Sequence, residues 1–427
     1  MGVRAGRLSR GAGGRLRRAA CPGSAHRPGP ASRRGRLIRP VTSVLVLGCL
    51  LLLLSSGCAA PSGAGTERAS SGVVTPSESY RLSTLWRQPV RLDGPQRERF
   101  ADESAGVVLV EGAGVAVVST ERGRVVGLQL HDGSIRWEHE VAGGVVARPT
   151  VSGRDVWIAG LSGDVLVLDG TSGRVRGSLR IGEPLVSSVV LHGNRGALVS
   201  GRNTLHVFDS ETMELLWQHR QRVTPDVRMR GAARPAITSA GVWAGFSDGS
   251  LVHLSPSGEI VWMRDLAEGE QRLRDVTGQV VERDGVVYAT SFSGGLHALE
   301  ADTGVRSWRL AVEGSAPPAF VDESTLVAIS ADGVVHWVDI DSGDVRERLS
   351  LERSVAGVLQ HAGRFLIVPG RSDGVLILDA HRPWIHQRFN PGDGVASPVA
   401  IRDDTIVVLS NRGVAWAVRM ERAGTLR

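Results

Sequence analysis

The side chains best suited to chemistry are scattered along the chain and form no catalytic pattern. The chain has 12 His residues, and the pair His381 and His386 flanks Pro383 without further ligands at metal-binding spacing. Ser and Asp are frequent, but they stand in turn sequences such as Asp132-Gly133, where turn geometry accounts for them. A phosphate-binding Lys loop is excluded because the sequence contains no Lys. The sequence therefore predicts no catalytic residue, no metal ligand and no cofactor.

Cysteine chemistry is confined to the N-terminus, because Cys21, Cys49 and Cys58 are the only cysteines. An apolar run over residues 41–54 follows Arg39, and its length fits a signal-peptide core better than a membrane span. Residues 54–58, Leu-Ser-Ser-Gly-Cys, resemble a bacterial lipobox. The resemblance implies cleavage before Cys58 and lipidation of Cys58. An ordinary signal peptide with an incidental cysteine is the alternative.

These observations divide the chain into four segments. Residues 1–57 are predicted to be a signal peptide, in which we interpret residues 1–32 as the product of a mis-assigned start. Residues 58–82 are the lipidated cysteine and a flexible tether rich in Ser, Gly, Thr and Pro. Ala59 follows the cysteine where Asp would signal inner-membrane retention, so by resemblance the anchor lies in the outer membrane, on its periplasmic face. Residues 83–420 form the repeat domain and residues 421–427 a C-terminal tail.

The charge distribution argues against nucleic-acid binding. Residues 1–57 hold 11 of the 50 basic side chains and no acidic one, so the remainder carries 39 basic against 44 acidic side chains, a net charge of −5. A chain of that balance has no general attraction for a phosphate backbone. No nucleic-acid partner is predicted.

A recurring sequence motif indicates the structural elements that would hold any functional site in this chain. Residues 168–177 read as an apolar residue, Asp, a Gly turn and a strand, and residues 130–137, 254–262 and 299–308 repeat the pattern and end in Trp. Each copy is typical of a β-hairpin. We expect the Trp side chains to pack between adjacent repeats, although ten Trp residues could also line a sugar-binding surface.

The spacing of the motif predicts an all-β, eight-bladed β-propeller with four-stranded antiparallel blades. Markers at the Trp position are separated by 51, 40, 40, 45, 46, 39 and 40 residues, and a period near 40 is typical of a propeller blade. The markers are Trp86, Trp137, Gly177, Trp217, Trp262, Trp308, Glu347 and Gln387. The eighth blade, over residues 395–420, lacks its own outer strand. Residues 83–87 are predicted to supply it and so to close the ring.

Two connections are longer than the period requires. The steps of 45 and 46 residues enlarge residues 218–234 and 264–278, each of which joins the outer strand of one blade to the inner strand of the next. Such connections emerge on one face, so these two are expected to be neighbours. Apolar residues beside Arg on a loop held by a rigid scaffold fit a protein interface. A solvated loop with a structural Arg–Asp pair remains the alternative.

The motif resembles the repeat of pyrroloquinoline-quinone-type propellers and covers most of residues 83–420. Two families share it, the quinoprotein dehydrogenases and the BamB lipoproteins of the outer-membrane β-barrel assembly (BAM) complex. The dehydrogenases hold their quinone over adjacent disulfide-bonded cysteines, and the repeats contain no cysteine. The lipobox, the blade count and the enlarged connections favour the BamB family.

The resemblance implies a scaffold, not an enzyme, whose partners are BamA, the BAM complex, unfolded outer-membrane barrel precursors and the membrane through its lipid. By family motif, Val227, Met229 and Arg230, followed by Gly231, would contact BamA. The second family motif matches residues 272–277 and assigns Asp275 to the same contact, although Thr277 replaces the second acidic residue. A periplasmic quinoprotein enzyme, or a propeller lipoprotein with another partner, remains the alternative.

Overall fold

All regular structure in the described residues is β-strand. The structure is a computed structural model that describes residues 70–71, 80–90, 103–222, 232–269, 273–314, 316–351 and 358–422. The first strands are β1 (Ser70–Ser71), β2 (Tyr80–Pro89), β3 (Gly106–Val110), β4 (Val115–Ser119), β5 (Arg124–Gln129), β6 (Ile135–Glu140), β7 (Thr150–Ser152), β8 (Asp155–Ala159), β9 (Asp164–Asp169), β10 (Val175–Arg180), β11 (Val190–His192), β12 (Arg195–Val199), β13 (Thr204–Asp209), β14 (Glu214–Arg220), β15 (Ala236–Thr238), β16 (Gly241–Gly245), β17 (Ser250–Leu254) and β18 (Ile260–Asp265). The remaining strands are β19 (Val276–Arg283), β20 (Val286–Ser291), β21 (Gly295–Glu300), β22 (Arg306–Leu310), β23 (Ala319–Phe320), β24 (Thr325–Ile329), β25 (Val334–Asp339), β26 (Val345–Ser350), β27 (Gln360–Ala362), β28 (Phe365–Gly370), β29 (Gly374–Asp379), β30 (Ile385–Phe389), β31 (Ala400–Arg402), β32 (Thr405–Leu409) and β33 (Val414–Arg422).

The strands form eight sheets, which are the blades of a β-propeller. Seven blades follow chain order from β3–β6 to β27–β30, and each runs from an inner to an outer strand. The eighth has the order β2-β33-β32-β31, so β2 is its outermost strand. The sixth blade has a fifth strand, because β1 pairs in parallel with β26. The predicted eight-bladed all-β fold is confirmed.

Strand ends differ from the sequence prediction in two places. β2 begins at Tyr80, before the predicted domain start at residue 83, because the Tyr80 ring packs edge-on against Phe365 and His386 at 5.0 and 5.5 Å between ring centroids. At the other end β33 runs to Arg422 instead of ending at residue 420, since Tyr80 pairs with Arg422. The inner strand β7 is short, Thr150–Ser152, because the preceding Pro149 has no N–H to donate to a sheet.

The hydrophobic core lies between neighbouring blades. The described residues form eight separate clusters of buried side chains, and each joins two adjacent blades. One of them packs Val107 and Leu128 of the first blade against Val407 of the eighth. Strands with apolar side chains on both faces suit this arrangement, because each blade is covered on both sides.

Tryptophans on the outer strands link each of five blades to the next. Each indole N–H donates to a backbone carbonyl in the following blade's hairpin turn, over 2.8–3.1 Å; the pairs are Trp86 with Leu130, Trp137 with Gly170, Trp217 with Pro256, Trp262 with Ala301, and Trp308 with Ile340. The turn residue under the ring is Gly. At Gly173 φ is +70°, and an added Cβ would lie 2.5 Å from the Trp137 ring. Packing of the marker Trp residues between repeats is therefore confirmed.

The sixth blade keeps this hydrogen bond although its marker position is Glu347. Trp337 lies opposite Glu347 on the adjacent strand. Its indole N–H donates to the carbonyl of Ala380 in the seventh blade over 2.6 Å. In the seventh blade the marker Gln387 donates to the carbonyl of Tyr80 in the eighth. The link between blades thus persists in the sixth and seventh blades, although the marker Trp is missing there.

Candidate partner-binding site

Both enlarged connections join an outer strand to the next inner strand. The first runs from the end of β14 at Arg220 to β15, and the second from the end of β18 at Asp265 to β19. Because consecutive strands are antiparallel, these connections and the turns between the second and third strands of each blade share one face. We call this the connection face.

One turn holds the described ends of both connections. Asp248 lies between β16 and β17, and its Oδ2 accepts a hydrogen bond from Nε2 of Gln221, at the start of the first connection, over 3.0 Å. Its backbone carbonyl accepts from Nε of Arg274, near the end of the second connection, over 3.1 Å. Arg274 also forms an ion pair with Asp265 at 2.6 Å. The two connections therefore adjoin, as the repeat spacing predicted.

The C-terminal ends of the connections are tied together by backbone. The N–H of Arg234 donates to the carbonyl of Gly278 over 2.7 Å, and the N–H of Val280 donates to the carbonyl of Arg234 over 2.9 Å. This short parallel bridge joins the approach to β15 to the strand β19 itself. Relative movement of the two connections is restricted at this end.

Charged groups fix where the first connection begins. Arg220 donates to Glu183 over 2.6 Å, and the hydroxyl of Ser200 donates to the same carboxylate over 2.5 Å. Burial opposes ionisation of Glu183, but the Ser200 hydrogen bond and the nearby His206 and Arg220 lower its pKa. The carboxylate is therefore charged and holds Arg220 in place.

Of the predicted contact residues, Val227, Met229 and Arg230 lie outside the described residues, as do Gly231 and Arg272 of the two family motifs. Asp275 is described, and it is only 4% exposed. Its carbonyl accepts a hydrogen bond from the N–H of Phe292 over 2.9 Å. Asp275 thus lies at the base of the second connection. Thr277 is half-buried within β19.

Sequence reasoning missed Asp248 and Gln221, which bring the connections together. A signal was present, because residues 245–249, Gly-Phe-Ser-Asp-Gly, mark a tight turn, and their spacing also matches that of a nucleophile elbow. That motif requires a strand followed by a helix, whereas these residues join the antiparallel strands β16 and β17. Asp248 Oδ1 instead accepts from the N–H of Ser250 over 3.0 Å and shapes the turn.

Other candidate residues serve structural contacts. The ring of His386 bonds Asp379 through Nε2 at 3.2 Å, and the ring of His381 lies 3.4 Å from Asp322, so the two imidazole rings have different partners. Among the described residues, no group of three His, Cys, Asp or Glu side chains is arranged to hold a metal ion. The described part of the chain contains no apolar helix of membrane-spanning length. Cys58 lies outside that part.

The blades and their repeated hairpins define a β-propeller of the pyrroloquinoline-quinone-like repeat class. The profile of the outer membrane protein assembly factor BamB family matches residues 81–160, 153–346 and 293–423. The chain therefore belongs to the BamB family.

The individual relatives share low sequence identity with this chain but match it over long stretches. The outer membrane protein assembly factor BamB of Yersinia pestis is 27% identical over 270 residues, which span 58% of this chain and 65% of that protein. The BamB of Nitrosomonas eutropha is 24% identical over 392 residues, which span 87% of this chain and 93% of the relative. The crystal structure of BamB from Moraxella catarrhalis superposes with a TM-score of 0.67 at 20% identity and covers 79% of this chain and 100% of that one. That superposition supports the fold.

Proposed function

We propose that this protein is a non-catalytic scaffold of the outer-membrane β-barrel assembly complex, in which the two adjoining connections bind BamA. One observation carries the proposal: within a BamB-family chain, the Asp248 turn holds the ends of both enlarged connections on one face. A rigid propeller that presents two neighbouring loops is well suited to hold a partner in a fixed orientation.

The proposed contacts divide into anchors on the first connection and a buried support in the second. Val227, Met229 and Arg230 would supply apolar and guanidinium contacts, which are frequent at the centres of protein interfaces. Asp275, at 4% exposure, would act by holding the second connection in shape. The ion pair of Arg274 with Asp265 supports that connection from the outside.

Barrel precursors are the proposed cargo, and the outer strands offer a surface for them. Leu215 and Leu216 on β14, with Ile260, Val261 and Met263 on β18, are 45–54% exposed. These strands are the outermost described strands of two consecutive blades, so their outer edges carry backbone groups that no described strand pairs, beside apolar side chains. An extended apolar segment could pair with such an edge. Lipidation of Cys58 would hold the propeller at the periplasmic face of the outer membrane.

Co-purification of BamA with the full-length protein from membranes tests the proposal. We expect the wild type to retain BamA. Arg230→Glu should bind BamA at least about tenfold more weakly, as for an interface residue worth more than about 1.4 kcal/mol. Arg154→Glu is the matched control, because Arg154 is exposed in the turn between β7 and β8 on the opposite face. Absence of BamA from the wild-type preparation would refute the function. Retention by Arg230→Glu would refute only the contact.

A further inference from the structure

Arg148 lies in the central channel. It precedes β7, the inner strand of the second blade, by two residues. Its Nε donates to the carbonyl of Val107 on β3 over 3.2 Å, and its Nη2 donates to the carbonyl of Val399 beside β31 over 3.0 Å. The innermost strands of the second, first and eighth blades meet only at the axis of the ring. One guanidinium group that touches all three must therefore line the channel.

Arg234 approaches the same channel from the fourth blade. It stands two residues before β15, and its backbone is bridged to β19 of the fifth blade. Its side chain makes no hydrogen bond to the described residues, and its Nε is shielded from solvent without a partner. Burial, and then the like charge of Arg234, lower the pKa of Arg148 to about 10. Burial also lowers the pKa of Arg234. Arg234 is thus close enough for its charge to act on Arg148, and Arg148 stays charged at neutral pH.

No described carboxylate compensates this pair. Elsewhere in the described residues deep charges are matched, as Glu183 is by Arg220 and Asp379 by Arg364. Arg148 and Arg234 form no ion pair with any described residue, and no carboxylate among those residues affects the pKa of either. Two shielded like charges destabilise a fold unless a counter-charge is supplied. Both residues are half-buried, so a ligand in the channel can still reach them.

We propose that the central channel holds a small multivalent anion, bearing carboxylate or phosphate groups, between Arg148 and Arg234. The planar guanidinium group matches both kinds of oxyanion by paired hydrogen bonds. Both arginines stand where an outer-to-inner connection reaches its inner strand. The anion therefore enters from the connection face and lies beside the described end of the first connection. This site is independent of the proposed binding of BamA.

Thermal unfolding of the full-length protein in the presence of citrate or pyrophosphate tests the site. We expect the midpoint to rise by about 2 °C for each tenfold increase in anion above its dissociation constant. Potassium chloride at matched ionic strength controls for screening. A larger effect of citrate assigns a carboxylate ligand, and a larger effect of pyrophosphate assigns a phosphate ligand.

Arg234→Gln is the decisive variant. It should abolish the anion-dependent rise and, without anion, unfold at a higher temperature than the wild type, because one of two repelling charges is gone. Arg154→Gln, which removes an exposed charge, should retain the full rise. Arg234→Lys keeps the charge and should retain a weakened rise even if the Gln variant folds poorly. An equal rise in wild type and Arg234→Gln, or a rise that chloride reproduces, would overturn the proposal.

Discussion

Trp337 faces Glu347 across the β25–β26 pair, and its indole spans the gap to Ala380 in the next blade. The marker position of the sixth blade is thus filled by an acidic residue, while the inter-blade hydrogen bond comes from the strand beside it. Trp337 is 2% exposed, so both the ring and its N–H are buried. This link requires an indole N–H within hydrogen-bond distance of a carbonyl in the next blade, and the Trp can stand on either the outer strand or the strand beside it.

Trp337→Phe should lower the free energy of unfolding by about 1–3 kcal/mol, because the buried carbonyl of Ala380 loses its donor. Urea titration followed by far-ultraviolet circular dichroism measures the change. Trp384→Phe is the control, since Trp384 is half-buried and stacks under Arg382 at 4.6 Å; it should cost less than about 1 kcal/mol. Equal losses in the two variants would contradict a special role for Trp337.

Gly173→Ala tests the close approach of a hairpin turn to Trp137. The substitution meets two obstacles, a φ of +70° and a ring 2.5 Å from the new Cβ. Gly153 has a φ of +58° with nothing within 4 Å, so Gly153→Ala carries the backbone cost alone. We expect Gly173→Ala to lower stability by about 1–3 kcal/mol more than the control, as overpacking does. Equal unfolding midpoints for Gly173→Ala and Gly153→Ala would show that the Trp137 ring moves aside without a loss of stability.

The repeat and the blade count were readable from sequence, because five Trp markers recur at one position of a hairpin with turn glycines. The role of Trp337 was not, since it stands on a different strand from the marker and its function follows from cross-strand pairing. The burial of Asp275 was also hidden, because loop motifs do not show which residue lies beneath its neighbours. Arg148 and Arg234 are distant in sequence, and only closure of a ring brings them together.

Acid should weaken the fold through His297, which is fully buried on β21. Burial, and then the charges of Arg306 and Arg309, lower its pKa from 6.5 to about 4, against the opposing charge of Glu268. The unfolded chain therefore takes up the proton first as pH falls. The stability that the neutral ring contributes is complete above about pH 6.5 and is lost as pH falls toward about 4. A shift of this size corresponds to about 3 kcal/mol.

The free energy of unfolding, measured between about pH 7 and pH 4, checks this dependence. His297→Leu should reduce the steepest slope by up to about 1.4 kcal/mol per pH unit, the value for one proton. His131→Gln is the control, because the side chain of His131 is 76% exposed, and it should leave the slope unchanged. If the free energy of unfolding of His297→Leu varies with pH as steeply as that of the wild type, the acid sensitivity comes from other groups.

Arg274→Gln should separate partner binding from stability. The substitution breaks the ion pair with Asp265 and the hydrogen bond to the Asp248 turn, so the second connection loses its support beside the first. Because Asp265 is exposed, the loss of stability should be below about 1 kcal/mol. Capture of BamA should nevertheless fall several-fold, since a loop that is no longer preorganised must be ordered on binding. Arg176→Gln breaks the ion pairs with Asp155 and Asp169 near the turns of the opposite face and should leave capture unchanged. Equal capture by Arg274→Gln and the wild type would mean that the support of this connection does not matter to the partner.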